Sequence, residues 1–513
     1  MTAGPTGGHP ADVIRASIER ARASGRARFV VEARALPIRQ DRGGAVAGLR
    51  CLAFAGARDR FYWERVEAGE FVAAWEPVDE LEGDGPDRFR AARAWRRDLV
   101  TRLDWIGAAR PGTAPLVVGG FGFHEHASGD PDWKAFPAAR FVLPGILVER
   151  AGEELRCTVF VRVEPNAKES DVAAERARRF DAAITALASA PQSGHADADR
   201  AAALALAAHG QTEGHARDSA HGPEYRVRSD RSHARFRAQV DAALAEIGSG
   251  RLAKLVLARS LTVDHDLEFD VPAFLERLRA LYPSCTLVAV GRGRDVFLAA
   301  TPETLVRVEG RRLETAALAG SAPRGRTPEE DERLAADLLA SSKERAEHAH
   351  VVEALRTALG PRCEELSVPA SPALRALLGI QHLESRIEGT LAAPADEGEA
   401  SDVIELVEAL HPTPAVAGAP RAAAAAWLRR HEGLERGWYA APIGWLDAEG
   451  GGAFCVGLRS ALIRNGVGPI GQSGASRARL FAGAGIVPGS LPEQELVETR
   501  IKLRALLAPL TEI

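Results

Sequence analysis

The sequence predicts an α+β fold in which large antiparallel β-sheets pack together with helices on their flanks. Two features lead to this class. Apolar, β-branched and aromatic runs come in clusters apart from the long helical stretches, whereas a doubly wound sheet alternates strand and helix. No G-x-G-x-x-G follows a strand and no P-loop occurs, so the common nucleotide-binding motifs of the alternating class are missing. With 513 residues, 46% hydrophobic and 26% charged, the chain has ample core for one large enzyme fold or for several average domains.

Residues 11–24 have the pattern of an amphipathic helix. A β-rich region follows with RFVVEARALPI, LRCLAFAG, and then Phe61-Tyr-Trp-Glu-Arg65 turning through Glu67-Ala-Gly69 into EFVAAW, a hairpin signal. Residues 86–106 return to helical spacing. PLVVGGFGFHEH and ARFVLPGILVER look like buried strands, and ELRCTVFVRVE alternates like a half-exposed one. The composition then shifts to Ala, Ser, Gly, His and Asp. His195, His209, His215 and His221 lie there at irregular spacing, so the segment reads as a linker and not as a metal site. The expected organisation is an N-terminal β-rich region over 1–184, a flexible linker or insertion over 185–227, and a second ordered region over 228–513.

In that second region FRAQVDAALAEIGSG is a helix, Lys254–Arg259 a strand and 271–282 a helix. CTLVAVG and VFLAATPETLVRVEG follow as strands, then a turn at 318–325 and one long helix near 328–358. GWYAAPIGWL, GGAFCVGLRSALI and LFAGAGIV are the later strands, and a final helix follows the last.

Charge and cysteine content bound the function. The 65 basic and 70 acidic residues sum to −5, which does not favour nucleic acid, whose binding needs concentrated positive charge. Five scattered cysteines without a CxxC pairing argue against a disulfide framework or thiolate zinc, and for a reducing compartment. The N-terminus has no apolar h-region and no run of eighteen apolar residues occurs, so a cytoplasmic protein without a membrane partner is expected.

Four features carry chemistry. Lys343-Glu-Arg-Ala-Glu-His348 puts Glu344 and Glu347 on one helix face, and the last helix does the same for Glu495, Glu498 and Lys502. If the two pairs face each other, they make an all-oxygen site suited to Mg²⁺ and not to zinc; singly, each is ordinary solvated helix surface. Lys254 sits in the apolar run LAKLVLAR, where loss of solvation favours its neutral, basic form; a lysine snorkelling from a strand end is the plainer alternative. Glu303 in ATPETLV is a candidate proton donor if buried, or else a surface glutamate after a turn. Gly483 and Gly485 would let backbone N–H groups approach a ligand. Glu347-x-x-His350 and Glu408-x-x-His411 also match the spacing of a di-iron bundle, but Pro412-Thr-Pro414 would break a bundle helix.

From about residue 228 to 510 the chain resembles the chorismate-utilising enzymes, and looks most like the isochorismate synthases of the menaquinone pathway. The resemblance rests on KLVLARSL, TPETLVRV, ETAALAGSAPRG, SSKERAEHAHVV, HPTPAVAGAP, ERGWYAAPIGWLDAEGGGAFCVGLRSALI and LFAGAGIVPGSLPEQELVETRIKL, in that order. FYWER and the GGFGF…ARFVLP stretch extend it, more weakly, into the N-terminal half. It implies the chorismate-binding enzyme fold, with 228–513 as the catalytic region.

It also implies roles. Lys254 resembles the general base that activates water and Glu303 the general acid. Glu347 and Glu498 resemble Mg²⁺ ligands, with Glu344 and Glu495 as close supports. Arg459, Lys502 and the backbone at Gly483 and Gly485 match substrate-carboxylate contacts, and Gly320, Ser321 and His411 pocket-lining positions. Ala319 stands where aminodeoxychorismate synthases place a nucleophilic lysine, which argues against that branch. Ser321 and Ala322 stand in AGSAPRG where the family usually has A-G-T-R-P-R-G. The implied reaction is Mg²⁺-dependent, reversible conversion of chorismate to isochorismate by a monomer, feeding menaquinone biosynthesis, with a salicylate synthase or a siderophore-pathway isochorismate synthase as the alternative.

Overall fold

A computed structural model of the chain describes residues 9–36, 59–107, 114–152, 154–188, 225–393, 401–466 and 475–511. Its frame is a branched β-sheet in which, among the described residues, every strand pairing but one is antiparallel. The exception joins Arg28–Leu36 to Leu103–Ile106. The branch point is the long strand Ala139–Ala151, which pairs along its length with Glu70–Gly83 and over its two halves with Pro115–Phe121 and Glu154–Val163.

Two arms leave this strand. The first runs through Glu70–Gly83, Asp59–Arg65, Thr286–Arg292, Asp295–Thr301, Ser460–Arg464, Ser476–Ile486 and Lys254–His265. The second runs through Pro115–Phe121, Pro442–Asp447, Gly452–Val456, Thr304–Glu309, Arg312–Pro323 and Ile380–Leu391. In both arms the N-terminal strands stand next to the branch and the C-terminal strands follow outward.

The two arms close on a shared core. Phe61, Trp63, Val288, Val290 and Phe297 of the first meet Val118, Trp445, Phe454, Val306 and Ile387 of the second in one apolar cluster. The alternate residues of the first arm, Tyr62, Leu287, Ala289 and Leu298, belong to a second cluster. There they pack against residues of the helices Val271–Leu281, Glu169–Ala188 and Pro492–Thr511. Successive side chains of a strand point to opposite faces. With both faces covered, runs such as residues 287–290 are apolar throughout instead of alternating.

The hairpin around Gly69 forms with Arg65 opposite Glu70. Other expectations need correction. The 86–106 segment is a helix, Arg88–Thr101, followed by the strand Leu103–Ile106. Both ends of the expected 185–227 linker belong to regular elements: the helix Glu169–Ala188 extends past 184, and Tyr225–Ser229 pairs with Lys254–His265. Most of that linker, with its four histidines, and the LRCLAFAG run lie outside the described residues. GWYAAPIGWL becomes a strand only at Pro442.

Three further corrections shape the site. VFLAATPETLVRVEG is two strands, Asp295–Thr301 and Thr304–Glu309, which belong to different arms. Pro302, lacking an N–H for the ladder, stands at the crossing. The 328–358 helix is two, Pro328–Ala340 and Ser342–Leu359, broken at Ser341, whose extended backbone (ψ 115°) lets its hydroxyl accept from Glu344 N at 3.3 Å. The turn at 318–325 is the end of the strand Arg312–Pro323, irregular between Ala319 and Ser321.

Candidate active site

A cavity enclosing about 770 Å³, its mouth included, opens between the arms. Val256, Phe481, Gly483 and Gly485 line it from the first arm, and Leu318, Gly320, Ser321 and His382 from the second. Glu303, at the crossing, lines it too, with Glu347, Arg459, Glu498 and Lys502.

Lys254 begins the strand Lys254–His265 and its side chain is fully buried. Its Nζ stands 3.0 Å from Glu347 Oε1 and makes no aligned hydrogen bond among the described residues. Lys254 does not snorkel. It lies behind the cavity wall that Glu347 lines. Burial works to raise the Glu347 carboxyl, but Lys254, Lys502 and Lys343 together outweigh it, so the group is held below the ordinary carboxylate range.

Glu303 is also buried. Desolvation pushes its carboxyl up to about 7, against the opposing pull of Lys254, Thr413 and Lys502. A carboxylic acid poised near neutrality beside a buried lysine is the pairing that acid–base chemistry at pH 7 requires.

The four helical glutamates are linked through their charges, Glu344 to Glu347 and Glu498, and Glu495 to Glu498. Glu344 Oε2 accepts from Ser321 N at 3.0 Å, an N–H turned toward it by Gly320, whose φ of 79° is left-handed. Burial, and after it the Glu347 charge, raises Glu344; burial, and after it Glu498, raises Glu495. Lysines offset the excess negative charge. Lys343 reaches Glu495 Oε1 at 3.1 Å and Glu344 Oε1 at 3.5 Å, and Lys502 reaches Glu498 Oε1 at 2.6 Å and Gly483 O at 3.0 Å. Glu344 and Glu495 do not line the cavity, and among the described residues no group of three or more His, Cys, Asp or Glu is clustered as a metal site.

Arg459 sits at a φ of 46°, a strained backbone for a side-chain-bearing residue. Its Nη2 is 3.5 Å from His382 Nε2, while its buried Nη1 has no aligned hydrogen-bond partner among the described residues. An orphaned buried donor costs about 1–3 kcal/mol, more when charged, so an anion entering here would recover that cost. Gly485 is where backbone and carboxylate come closest: a Cβ there would stand 2.1 Å from Glu347 Oε1.

His411 is placed differently from the expectation. It does not line the cavity, and its Nε2 faces Phe123 O at 3.1 Å, with burial lowering the ring to about 3. It fastens an N-terminal loop to the end of the short helix Val403–Leu410, which ends before His411 and cannot serve a di-iron bundle. Sequence reasoning missed His382 and Tyr439. His382 pairs across the ladder with Ser321, and burial followed by the Arg459 charge drives its imidazole well below the ordinary value, hence neutral. Tyr439 stacks on Phe481 with centroids 5.1 Å apart. Neither type of residue stands out within an apolar strand or an aromatic run, so only the ERGWYAAP block could have flagged Tyr439.

Residues 45–511 match the family described as chorismate binding enzyme. A salicylate biosynthesis isochorismate synthase of Pseudomonas aeruginosa is 38% identical over 457 residues, covering 88% of this chain and 85% of that protein. The isochorismate synthase MenF of Bacillus subtilis is 36% identical over 271 residues, and the match spans about half of its length, 54%. Among solved structures, MenF of Escherichia coli, the menaquinone-specific isochorismate synthase, superimposes with a TM-score of 0.70 at 22% identity, covering 96% of this chain and all of that one. At that identity the likeness is one of fold.

Proposed function

The chain belongs to the chorismate-binding enzymes, and from that premise we propose that it is an isochorismate synthase, an isomerase that moves the ring hydroxyl of chorismate from C4 to C2. The observation that carries this reading within the site is the buried Lys254 beside Glu303, whose carboxyl is pushed up to about 7.

Chorismate is a dicarboxylate, and the cavity offers cations for it. Arg459 with its free Nη1 and Lys502 at Gly483 would hold the substrate carboxylates, with Gly320, Ser321 and His382 shaping the opposite wall. Lys254 takes a proton from water as that water bonds to C2; this role leaves Glu347 to another cation. The ring double bonds shift, the C4–O bond breaks, and Glu303 protonates the departing hydroxyl, which leaves as water. One water is consumed and one released, so the step is a reversible isomerisation.

The acidic pairs fit a divalent cation by chemistry. They supply only carboxylate oxygens, and Glu344 and Glu495 are raised by burial and, after it, by neighbouring carboxylates. Glu347 and Glu498, supported by Glu344 and Glu495, would hold Mg²⁺, which would neutralise and orient a substrate carboxylate.

For the pathway, the N-terminal blocks support a menaquinone route. The Pseudomonas aeruginosa relative, named for salicylate biosynthesis and aligned over most of both chains, supports a second reading in which the product feeds salicylate. We place the enzyme in the cytoplasm as a monomer. Supporting the compartment are Cys285, Cys363 and Cys455, none of which forms a disulfide among the described residues, and the lack, among the same residues, of any helix long and apolar enough to cross a membrane. Incubation with chorismate and MgCl₂, followed by chromatography, tests the activity. Isochorismate alone is expected; salicylate with pyruvate would overturn the assignment in favour of a salicylate synthase, and no turnover would sink both.

A further inference from the structure

The carboxylates of the acidic site are divided between two helices, Ser342–Leu359 and Pro492–Thr511. Three lysines sit among them, and they are not equivalent. Lys502 pairs with Glu498 one turn away on its own helix, and Lys254 pairs with Glu347 from a strand. Lys343 alone of the three makes ion pairs that span both helices, to Glu344 on its own and to Glu495 on the other.

We propose that Lys343 is a built-in counter-cation that ties the two helices together when no divalent cation is bound and competes with that cation for Glu344 and Glu495. The inference rests on the Mg²⁺ reading above.

Two observations carry it. Lys343 stands in the first turn of its helix, two residues after the Ser341 cap, where the helix dipole disfavours a cation and favours acids. The lysine is therefore held there by its carboxylate partners and not by its helix. In addition, Glu495 is 2% exposed in its side chain while Lys343 is 30% exposed. The carboxylate is fixed in the interior, and the ammonium reaches it from the solvent side on a flexible stem, able to swing out into water when another cation takes its place. Buried Glu495 needs a cation partner in either state, because an uncompensated buried charge is strongly unfavourable.

The test uses the full-length, substrate-free protein and MgCl₂ alone, by titration calorimetry and by thermal denaturation with and without the metal. Lys343→Met keeps the stem and removes the charge. It is expected to bind Mg²⁺ about tenfold more tightly than wild type, the effect of removing one charge at short range. Its Tm should be lower without metal and rise more when metal is added. Lys343→Arg, which keeps the charge, should bind Mg²⁺ like wild type and shows whether the charge or the side-chain length matters. Affinity unchanged or weakened in Lys343→Met, while Glu498→Gln abolishes binding, would overturn the inference and leave the metal reading standing. Absence of Mg²⁺ binding in wild type and in every variant would remove both.

Discussion

Replacing Gly485 by alanine tests how closely the site is built. The strand residue pairs with Val256, between Ala484 opposite Leu257 and Ile486 opposite Leu255, so its backbone is held by an unbroken ladder. A methyl there would stand 2.1 Å from Glu347 Oε1 and 2.9 Å from its Cδ. To regain van der Waals separation, with the backbone fixed, the carboxylate must retreat by about 1 Å. That withdraws it from Lys254, now 3.0 Å away, and from any cation it holds. A misplacement of this size can cost ~10²-fold in rate, or about 2.7 kcal/mol on the barrier. Stability should change far less. Alanine in a strand is favoured over glycine by roughly 0.5–1 kcal/mol, which partly offsets an overpacking cost of about 1–3 kcal/mol. The assay is steady-state isochorismate formation alongside Tm. Gly483→Ala is the control, because its Cβ would meet the Tyr439 hydroxyl at 2.9 Å, the terminal atom of a ring, and it should lose less than about tenfold. Wild-type kcat in Gly485→Ala, or an equal loss in both variants, would refute the argument that Glu347 must occupy that position.

Glu303→Gln should lower turnover by at least ~10²-fold, the worth of a positioned general acid. Wild-type kcat should fall as pH rises through about 7, where Glu303 loses its proton. The same shift has a stability consequence. Glu303 has a folded value raised from the ordinary 4.5, so wild type loses stability between pH 4.5 and 7 while the glutamine variant does not. The variant should therefore gain on wild type by on the order of 3 kcal/mol across that window and hold the advantage above it, as denaturant titrations at several pH values will show. Lys254→Met should abolish turnover while chorismate still binds by calorimetry. It leaves Glu347 without its nearest cation, and a destabilisation of about 3–5 kcal/mol is expected. Normal turnover in this variant would remove Lys254 as the base.

The sequence by itself determined what each element is made of. Period and composition mark the hairpin at Gly69, the apolar strand that begins at Lys254 and the glutamate pairs spaced three apart, because one element's burial is written along its own residues. Residue type marks Lys254, Glu303 and Lys502 as groups able to do chemistry, and the ordered blocks point to the family and, through it, to Arg459. Tertiary structure alone decided who faces whom. Pro302 and Glu303 became a crossing between two arms because their flanking strands found partners far away in sequence, at Ser460–Arg464 and at Gly452–Val456. Glu303 is raised because other segments strip its water, and Glu347 is lowered because Lys254 arrives from a distant strand. Burial and charge at a point are sums over neighbours in space, and a pattern read along the chain does not contain that sum. His382, Tyr439 and the helix-spanning Lys343 went unread for the same reason, while His411, read as part of the pocket, was drawn instead to Phe123.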